Sequence, residues 1–178
     1  MEKINIRKIT AADIDALHSI SVQTFYETFS AMNSEENMTK YLETNLSKNR
    51  LQDELNDDKA AFYFAEVDGN VVGYLKLNSG QSQTELIDQN GLEIERIYVL
   101  KELLGKKIGQ QLYEKAIDIA RGKNAEFVWL GVWEENERAI SFYKKHGFAP
   151  FDKHVFNLGD DEQTDIMMKL ELKGTSQT

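Results

Sequence analysis

Leu92-Glu93-Ile94-Glu95-Arg96-Ile97-Tyr98-Val99, followed after four residues by Leu104-Gly105-Lys106-Lys107-Ile108-Gly109, is the stretch on which the fold turns. The first run, rich in β-branched and aromatic residues, reads as a strand, and Ile108, Leu112, Ala116, Ile119 and Ala120 recur at helical spacing as one apolar stripe. A strand therefore enters a helix through a glycine-bearing turn. Backbone N–H groups left free at the start of such a helix can hold a pyrophosphate, while glycines that serve backbone shape alone are the competing reading.

Toward the C-terminus, Phe127 to Val132 reads as a further strand, and a helix from Asn136 to Lys145 should stop at His146-Gly147 through a glycine cap. Val155-Phe156 and Ile166 to Leu170, separated by Asn157-Leu158-Gly159-Asp160-Asp161-Glu162, read as a closing hairpin. Toward the N-terminus, Ile4, Ile6 and Lys8 alternate as a strand, and Thr10 with Asp13 forms a capping pair before a helix carrying Ile14, Leu17, Val22, Phe25 and Phe29. Ser34 and Ser47 open two more helices. Ala61 to Val67 and Val71 to Leu77 flank the turn Asp68-Gly69-Asn70, and a polar, mobile loop runs from Ser79 to Asn90. These elements add up to a mixed α/β (α+β) sheet with helices on both faces.

The chain has 178 residues, 41% of them hydrophobic, one proline and no repeat or linker-like tract. One domain over residues 1–172 with a frayed tail at 173–178 is the expected organisation. No cysteine is present, and the N-terminal residues lack the apolar run of a signal peptide or membrane span, which points to the cytoplasm. The net charge of −9 disfavours nucleic acid and suits a cationic small molecule. His18, His146 and His154 show no metal-ligand spacing, so no metal is expected. Trp129 and Trp133 have no basic strip beside them and are expected to pack or to line a groove.

Asn136, Ala139, Tyr143, Gly147 and Phe148 fall in an Asn-x-x-Ala-x-x-x-Tyr-x-x-x-Gly-Phe pattern, and with the strand-turn-helix unit this resembles the GNAT superfamily of acyl-CoA N-acyltransferases. The turn departs from the family's Arg/Gln-x-x-Gly-x-Gly/Ala pattern: Leu104 stands in place of Arg or Gln, Lys107 replaces the first glycine, and Gly109 keeps the second. The runs 92–98, 129–134 and 159–165 are similar to bacterial PaiA-type spermine/spermidine N-acetyltransferases. The resemblance implies a mostly antiparallel sheet of about seven strands and an enzyme that moves acetyl from acetyl-CoA to a primary amine, preferably a polyamine. Acetylation of a protein N-terminus or lysine, and a non-catalytic acyl-CoA-binding regulator, are the alternatives. A homodimer is an expectation with no residue behind it.

By the same resemblance, Tyr143 is the acid for the departing thiolate, and backbone N–H groups of Ile97, Tyr98 and Val99 meet the thioester. Leu104, Gly105, Lys106, Lys107, Ile108, Gly109 and Gln110, with Asn136 and Phe142, hold the cofactor. Asn136 also reads as a plain helix N-cap. Tyr143 lies seven residues past Asn136, on the same helix face, so both can look into one groove. An alkylammonium must lose a proton before it attacks, and Glu93 and Glu95, two apart on a strand, share a face and are the candidate bases; their like charges should raise at least one pKa. Either can instead be a solvated strand residue or an ion-pair partner of Arg96 or Lys101. For a cationic acceptor the nearest carboxylates and aromatics are Tyr26, Glu27, Phe29, Asp161 and Glu162, with helix-surface solvation the plainer reading of Glu27.

Overall fold

A computed structural model describes residues 3–85 and 87–172, so the expected tail at 173–178 lies outside the described residues. The elements run β1 (Ile4–Lys8), α1 (Ile14–Phe29), α2 (Glu35–Asn45), α3 (Lys48–Leu55), β2 (Ala60–Val67), β3 (Asn70–Ser79), β4 (Gly91–Val99), α4 (Ile108–Gly122), β5 (Phe127–Trp133), α5 (Glu137–Lys145), β6 (Ala149–Leu158) and β7 (Asp161–Glu171). The strands form one seven-stranded sheet in the order β1-β2-β3-β4-β5-β7-β6. Every neighbouring pair is antiparallel except β4 and β5. No helix among the described residues is long and apolar enough to cross a membrane.

Each face of the sheet carries its own core. Leu75, Leu77, Leu92, Ile94, Val128 and Leu130 pack with Leu112 and Ala116 of α4 and Tyr143 of α5 on one face. Phe62, Phe64 and Tyr74 pack with Leu17 and Phe25 of α1, Met38 of α2 and Leu51 of α3 on the other. The alternation of β2 and β3 therefore feeds two apolar layers, which is why β3 reads as a nearly continuous buried run.

Local signals act as their chemistry requires. Ser34 accepts from the Asn37 N–H at 3.1 Å and Ser47 from the Arg50 N–H at 3.2 Å, opening α2 and α3. Asp68 (φ +52°) and Gly69 (φ +79°) make a two-residue turn between the paired residues Val67 and Asn70, the positive-φ geometry a tight hairpin demands. At the end of α5, Gly147 takes φ +98° and the Phe148 N–H donates to the Tyr143 carbonyl at 3.0 Å, closing the helix. The closing hairpin differs from expectation: β6 and β7 are longer, Leu158 pairs with Asp161, and only Gly159 and Asp160 turn the chain. Asn37 of α2 donates to Asp160 at 2.8 Å, and Leu158 is buried among the α1–α3 side of the core, which holds the turn short.

Lys107 precedes α4 with φ +68°, a left-handed conformation that costs a residue with a Cβ roughly 1–2 kcal/mol. Glycine's greater freedom in the unfolded chain offsets part of any relief. Lys107→Gly is therefore expected to stabilise the fold by roughly 0.5–1 kcal/mol, seen as a rise of about 1–3 °C in the thermal midpoint; a fall would contradict the left-handed assignment.

Candidate active site

The site begins with one extra residue. Lys76 of β3 faces Arg96 of β4 while Leu77 faces Ile94, so Glu95 has no partner and forms a β-bulge. The bulge bends β4 and resets its phase. Leu92, Ile94, Ile97 and Val99 all reach the α4 core, whereas Tyr98 packs with the α1–α3 core. β4 and β5 pair only over Gly91–Ile94 and Phe127–Leu130. Beyond that point β4 follows β3 and β5 follows β7, so the two strands part into a wedge.

Donor directions in the wedge follow from the ladder. The Leu100 N–H donates to the Val72 carbonyl at 2.9 Å, which fixes Leu100, Tyr98 and Arg96 as the residues bonding β3. The backbone N–H groups of Ile97 and Val99 point the other way, into the wedge. Of the three expected donors, Tyr98 is thus corrected: its N–H is turned to β3 by the alternation of the antiparallel ladder.

A cavity of ≈ 280 Å³ occupies the wedge and is lined from both sides of the sheet. Asn136, Ala139 and Tyr143 line it from the α5 side; Phe29, Tyr41, Tyr98, Trp133, Glu93 and Glu95 line it from the other. Tyr143 is only 6% exposed, packs edge-on against Phe142 and Phe148, and its hydroxyl has no hydrogen-bond partner among the described residues. Burial, with a smaller contribution from Tyr113, pushes this phenol well above its ordinary value. Asn136 caps α5, accepting from the Ala139 N–H at 3.2 Å, and lines the cavity as well.

The two glutamates are bridged by one amide: Asn78 Nδ2 donates to Glu93 at 3.0 Å and to Glu95 at 2.8 Å. Their surroundings then diverge. Glu93, 3% exposed, receives the Thr84 N–H at 2.7 Å and the Thr84 hydroxyl at 2.6 Å. Burial raises its pKa, the Asn78 and Thr84 hydrogen bonds oppose the rise, and the Glu95 charge adds a minor upward push. Glu95 faces Lys76 Nζ at 2.6 Å and Arg96 at 3.2 Å, while Glu54 of α3 holds the same two cations at 3.2 and 2.7 Å. Burial alone would raise Glu95, but Arg96 and Lys76 outweigh it and bring it to about 2. One of the two is raised as expected, Glu93, with burial the larger cause and the Glu95 charge the smaller; at Glu95 the neighbouring cations win.

At the mouth of α4, Gly105 takes φ +87° and the first helical bond runs from the Gln111 N–H to the Lys107 carbonyl at 3.1 Å. The N–H groups of Ile108, Gly109 and Gln110 precede that bond and can take an anion. Lys106 and Lys107 are exposed beside them. A cation that sequence reading missed also stands there: Arg138 Nη2 of α5 lies 3.5 Å from where a Cβ on Gly105 would be.

Comparison with known proteins places this geometry. The acetyltransferase (GNAT) family profile matches residues 16–148. The chain belongs to the GNAT acetyltransferase family. It is 43% identical over 172 residues to an uncharacterized N-acetyltransferase in the pepI 3′ region of Lactobacillus delbrueckii subsp. lactis, covering 97% of this chain and 99% of that one. It is 28% identical over 153 residues to a spermidine N(1)-acetyltransferase of Thermoplasma acidophilum, covering 84% and 90%. The crystal structure of the PaiA N-acetyltransferase of Thermoplasma acidophilum in complex with coenzyme A superposes with a TM-score of 0.78 at 26% identity, covering 95% of this chain and 99% of that one. This protein is thus a GNAT N-acetyltransferase, and the seven-stranded mixed sheet is the family's fold.

Within the GNAT frame the structure sorts the remaining expected residues. Glu93, Glu95, Ile97, Tyr98, Asn136, Tyr143 and Phe29 meet at the cavity. Phe142 instead packs against Tyr113 and His146, at 5.5 and 4.4 Å. Tyr26 bonds Glu35 at the surface, and Glu27 accepts the Lys101 N–H at 2.9 Å, capping the turn after β4; neither lines the cavity, because α1 turns that stripe away from the wedge. Asp161 and Glu162 are exposed residues of β7, outside the cavity lining, because the hairpin turn is shorter than expected. Trp133 lines the cavity and Trp129 is buried, its Nε1 donating to Gln83 at 2.6 Å. The polar loop after β3, expected to be mobile, is fastened at consecutive residues: Gln83 to Trp129, Thr84 to Glu93, and Glu85 to His154 at 2.9 Å. Among the described residues no group of three or more His, Asp or Glu is arranged to hold a metal ion.

The Glu95 environment carries a pH signature. Its folded pKa of about 2 lies below the unfolded value, so its stabilisation is complete above roughly pH 4.5 and is lost as pH falls toward 2. The shift corresponds to roughly 3 kcal/mol. Glu95→Gln is expected to flatten the slope of unfolding free energy against pH in that window, measured by denaturant titration; an unchanged slope would mean that Lys76 and Arg96 do not hold the carboxylate.

Proposed function

We propose that this GNAT N-acetyltransferase moves acetyl from acetyl-CoA directly to a primary amine in a ternary complex, and that its preferred acceptor is a polyamine. The observation that carries the reading is the cavity in the β4–β5 wedge, lined by Tyr143 from one face of the sheet and by Glu93, Glu95 and aromatic rings from the other. Donor and acceptor can therefore enter from opposite faces and meet at the bulge. The similarity to a spermidine acetyltransferase supports the polyamine, as does a cavity that sets the carboxylates Glu85, Glu93, Glu95 and Asp165 among aromatic faces. Lacking cysteine, the chain has no thiol to carry an acyl-enzyme.

In this reading Glu93 takes the proton that the ammonium must lose, and its raised pKa makes it a better base than the ion-paired Glu95. Glu95 is the acidic neighbour held in place by Lys76 and Arg96. The amine nitrogen forms the new C–N bond at the thioester carbon while the Ile97 N–H, pointing into the wedge, meets the carbonyl oxygen. The C–S bond breaks, the attacking nitrogen releases its second proton to water, and the Tyr143 hydroxyl gives its proton to the thiolate and is reprotonated from water, leaving the amide and free coenzyme A. The α4 mouth, with Arg138, Lys106 and Lys107, holds the diphosphate, Arg138 supplying charge that Leu104 does not. The cytoplasm is the compartment this reading implies.

Thiol release, followed with a chromogenic disulfide and the acceptors spermidine, spermine and a lysine peptide, tests the reading. Polyamine turnover well above peptide is expected; peptide preference would move the acceptor to protein, and saturable acetyl-CoA binding without turnover would mark a regulator. Glu93→Gln and Tyr143→Phe should each lower kcat by roughly 10²–10⁴-fold with acetyl-CoA binding retained by calorimetry. Separately, Arg138→Ala should raise KM for acetyl-CoA about tenfold, the loss of one charge-assisted contact, and leave KM for the amine unchanged.

A further inference from the structure

We propose that Asp165 selects acceptors that carry a second ammonium group, holding the non-reacting end of a diamine or polyamine while the reacting amine meets Glu93. The proposal rests on the amine-acetylation reading and deepens it. Asp165 stands on β7 opposite Trp133 of β5 and His154 of β6, and it lines the same cavity as Glu93 and Glu95. Its carboxylate lies over Gly131: a Cβ there would sit 3.3 Å from Asp165 Oδ2, so the missing side chain gives the carboxylate its place in the cavity wall.

The three carboxylates differ in what already holds them. Glu95 is matched by Lys76 and Arg96, and Glu93 by Thr84 and Asn78. Asp165 has no hydrogen bond or salt bridge among the described residues, and its cross-strand neighbour His154 is turned to Glu85. Burial raises Asp165 to about 6, with His154 pulling slightly the other way, so it is still mainly ionised at neutral pH. A half-buried carboxylate without a cation is costly, and a ligand ammonium would relieve that cost.

Spacing argues for a second charge, not the first. Trp129 is level with Glu93 and Trp133 with Asp165, four residues apart on β5, which is about 13 Å along the strand, with two strand spacings of about 10 Å across the sheet. A single ammonium cannot serve both carboxylates; a linear chain with amines several methylenes apart can. Tyr41 and Tyr98 line the same cavity, and the Asp165 charge is felt at both hydroxyls and the Glu95 charge at that of Tyr41. Trp133 and Phe29, ring centroids 4.8 Å apart, offer the methylenes and ammonium groups an aromatic wall.

The test compares wild type with Asp165→Asn on linear α,ω-diamines and on n-alkylamines of matched length, by thiol release and by calorimetric binding of each amine. The wild type should prefer the diamines, and D165N should raise their KM about tenfold with kcat/KM for the monoamines changed less than about twofold. Equal use of matched diamines and monoamines by the wild type, or equal losses on both in D165N, overturns the proposal while leaving amine acetylation standing. If no amine is turned over, the acetylation reading fails and calorimetry decides the remainder: diamine binding that weakens in D165N supports Asp165 as the anchor, and binding that is absent or unchanged overturns it.

Discussion

A single unpaired residue in β4 organises this molecule. With Glu95 bulged out of the β3 ladder, the strand bends from β5 after Ile94, and the sheet stays continuous on one side of the wedge and opens on the other. Without the extra residue the side chains after it would change faces: Ile97 and Val99 would leave the α4 core and Tyr98 would leave the cavity. Backbone hydrogen bonds are lost at this place because the two strands diverge, and the groups so exposed are what a thioester or an extended pantetheine arm can use.

Charge is distributed around that bulge with a division of labour. Glu54, Lys76, Glu95 and Arg96 form a network of two carboxylates and two cations, half-buried except at Lys76, which is 6% exposed. Its fixed alternation keeps Glu95 ionised and leaves Glu93, one pleat away and gripped by Thr84, in an environment dominated by burial. One asparagine, Asn78, touches both, so the position of either carboxylate is tied to that of the other.

Much of this could be read from the chain because its signals are local. The helix caps at Ser34 and Ser47, the turn at Asp68-Gly69, the glycine stop at Gly147 and the strand-turn-helix from Leu92 each depend on residues a few positions apart. Asn136 and Tyr143 share a helix face by spacing alone, and both line the cavity. The bulge was hidden, since a one-residue offset exists only in the pairing of β4 with β3. Arg138, Thr84, Lys76 and Asp165 were missed for the same reason: each reaches its place through a tertiary approach from another element. Tyr26, Glu27, Asp161 and Glu162 had suitable chemistry, but composition does not tell which way a helix rolls or where a hairpin turns. β6, exposed along nearly all its length, gives little alternation from which its true extent could be seen.

The parallel seam between β4 and β5 also divides the fold along the sequence. Everything on one side of it, β1 to β4 with three helices, is encoded before residue 100, and the β2–β3 hairpin needs only a two-residue turn to form. A sheet of β1 to β4 alone would leave the outer edge of β4 unpaired, and it is the α4 crossover that brings β5 to it. Four residues of that edge are then covered for good, and the rest never is. The wedge is in this sense a sheet edge kept inside the protein: the portion of β4 that the chain's own next strand leaves unoccupied.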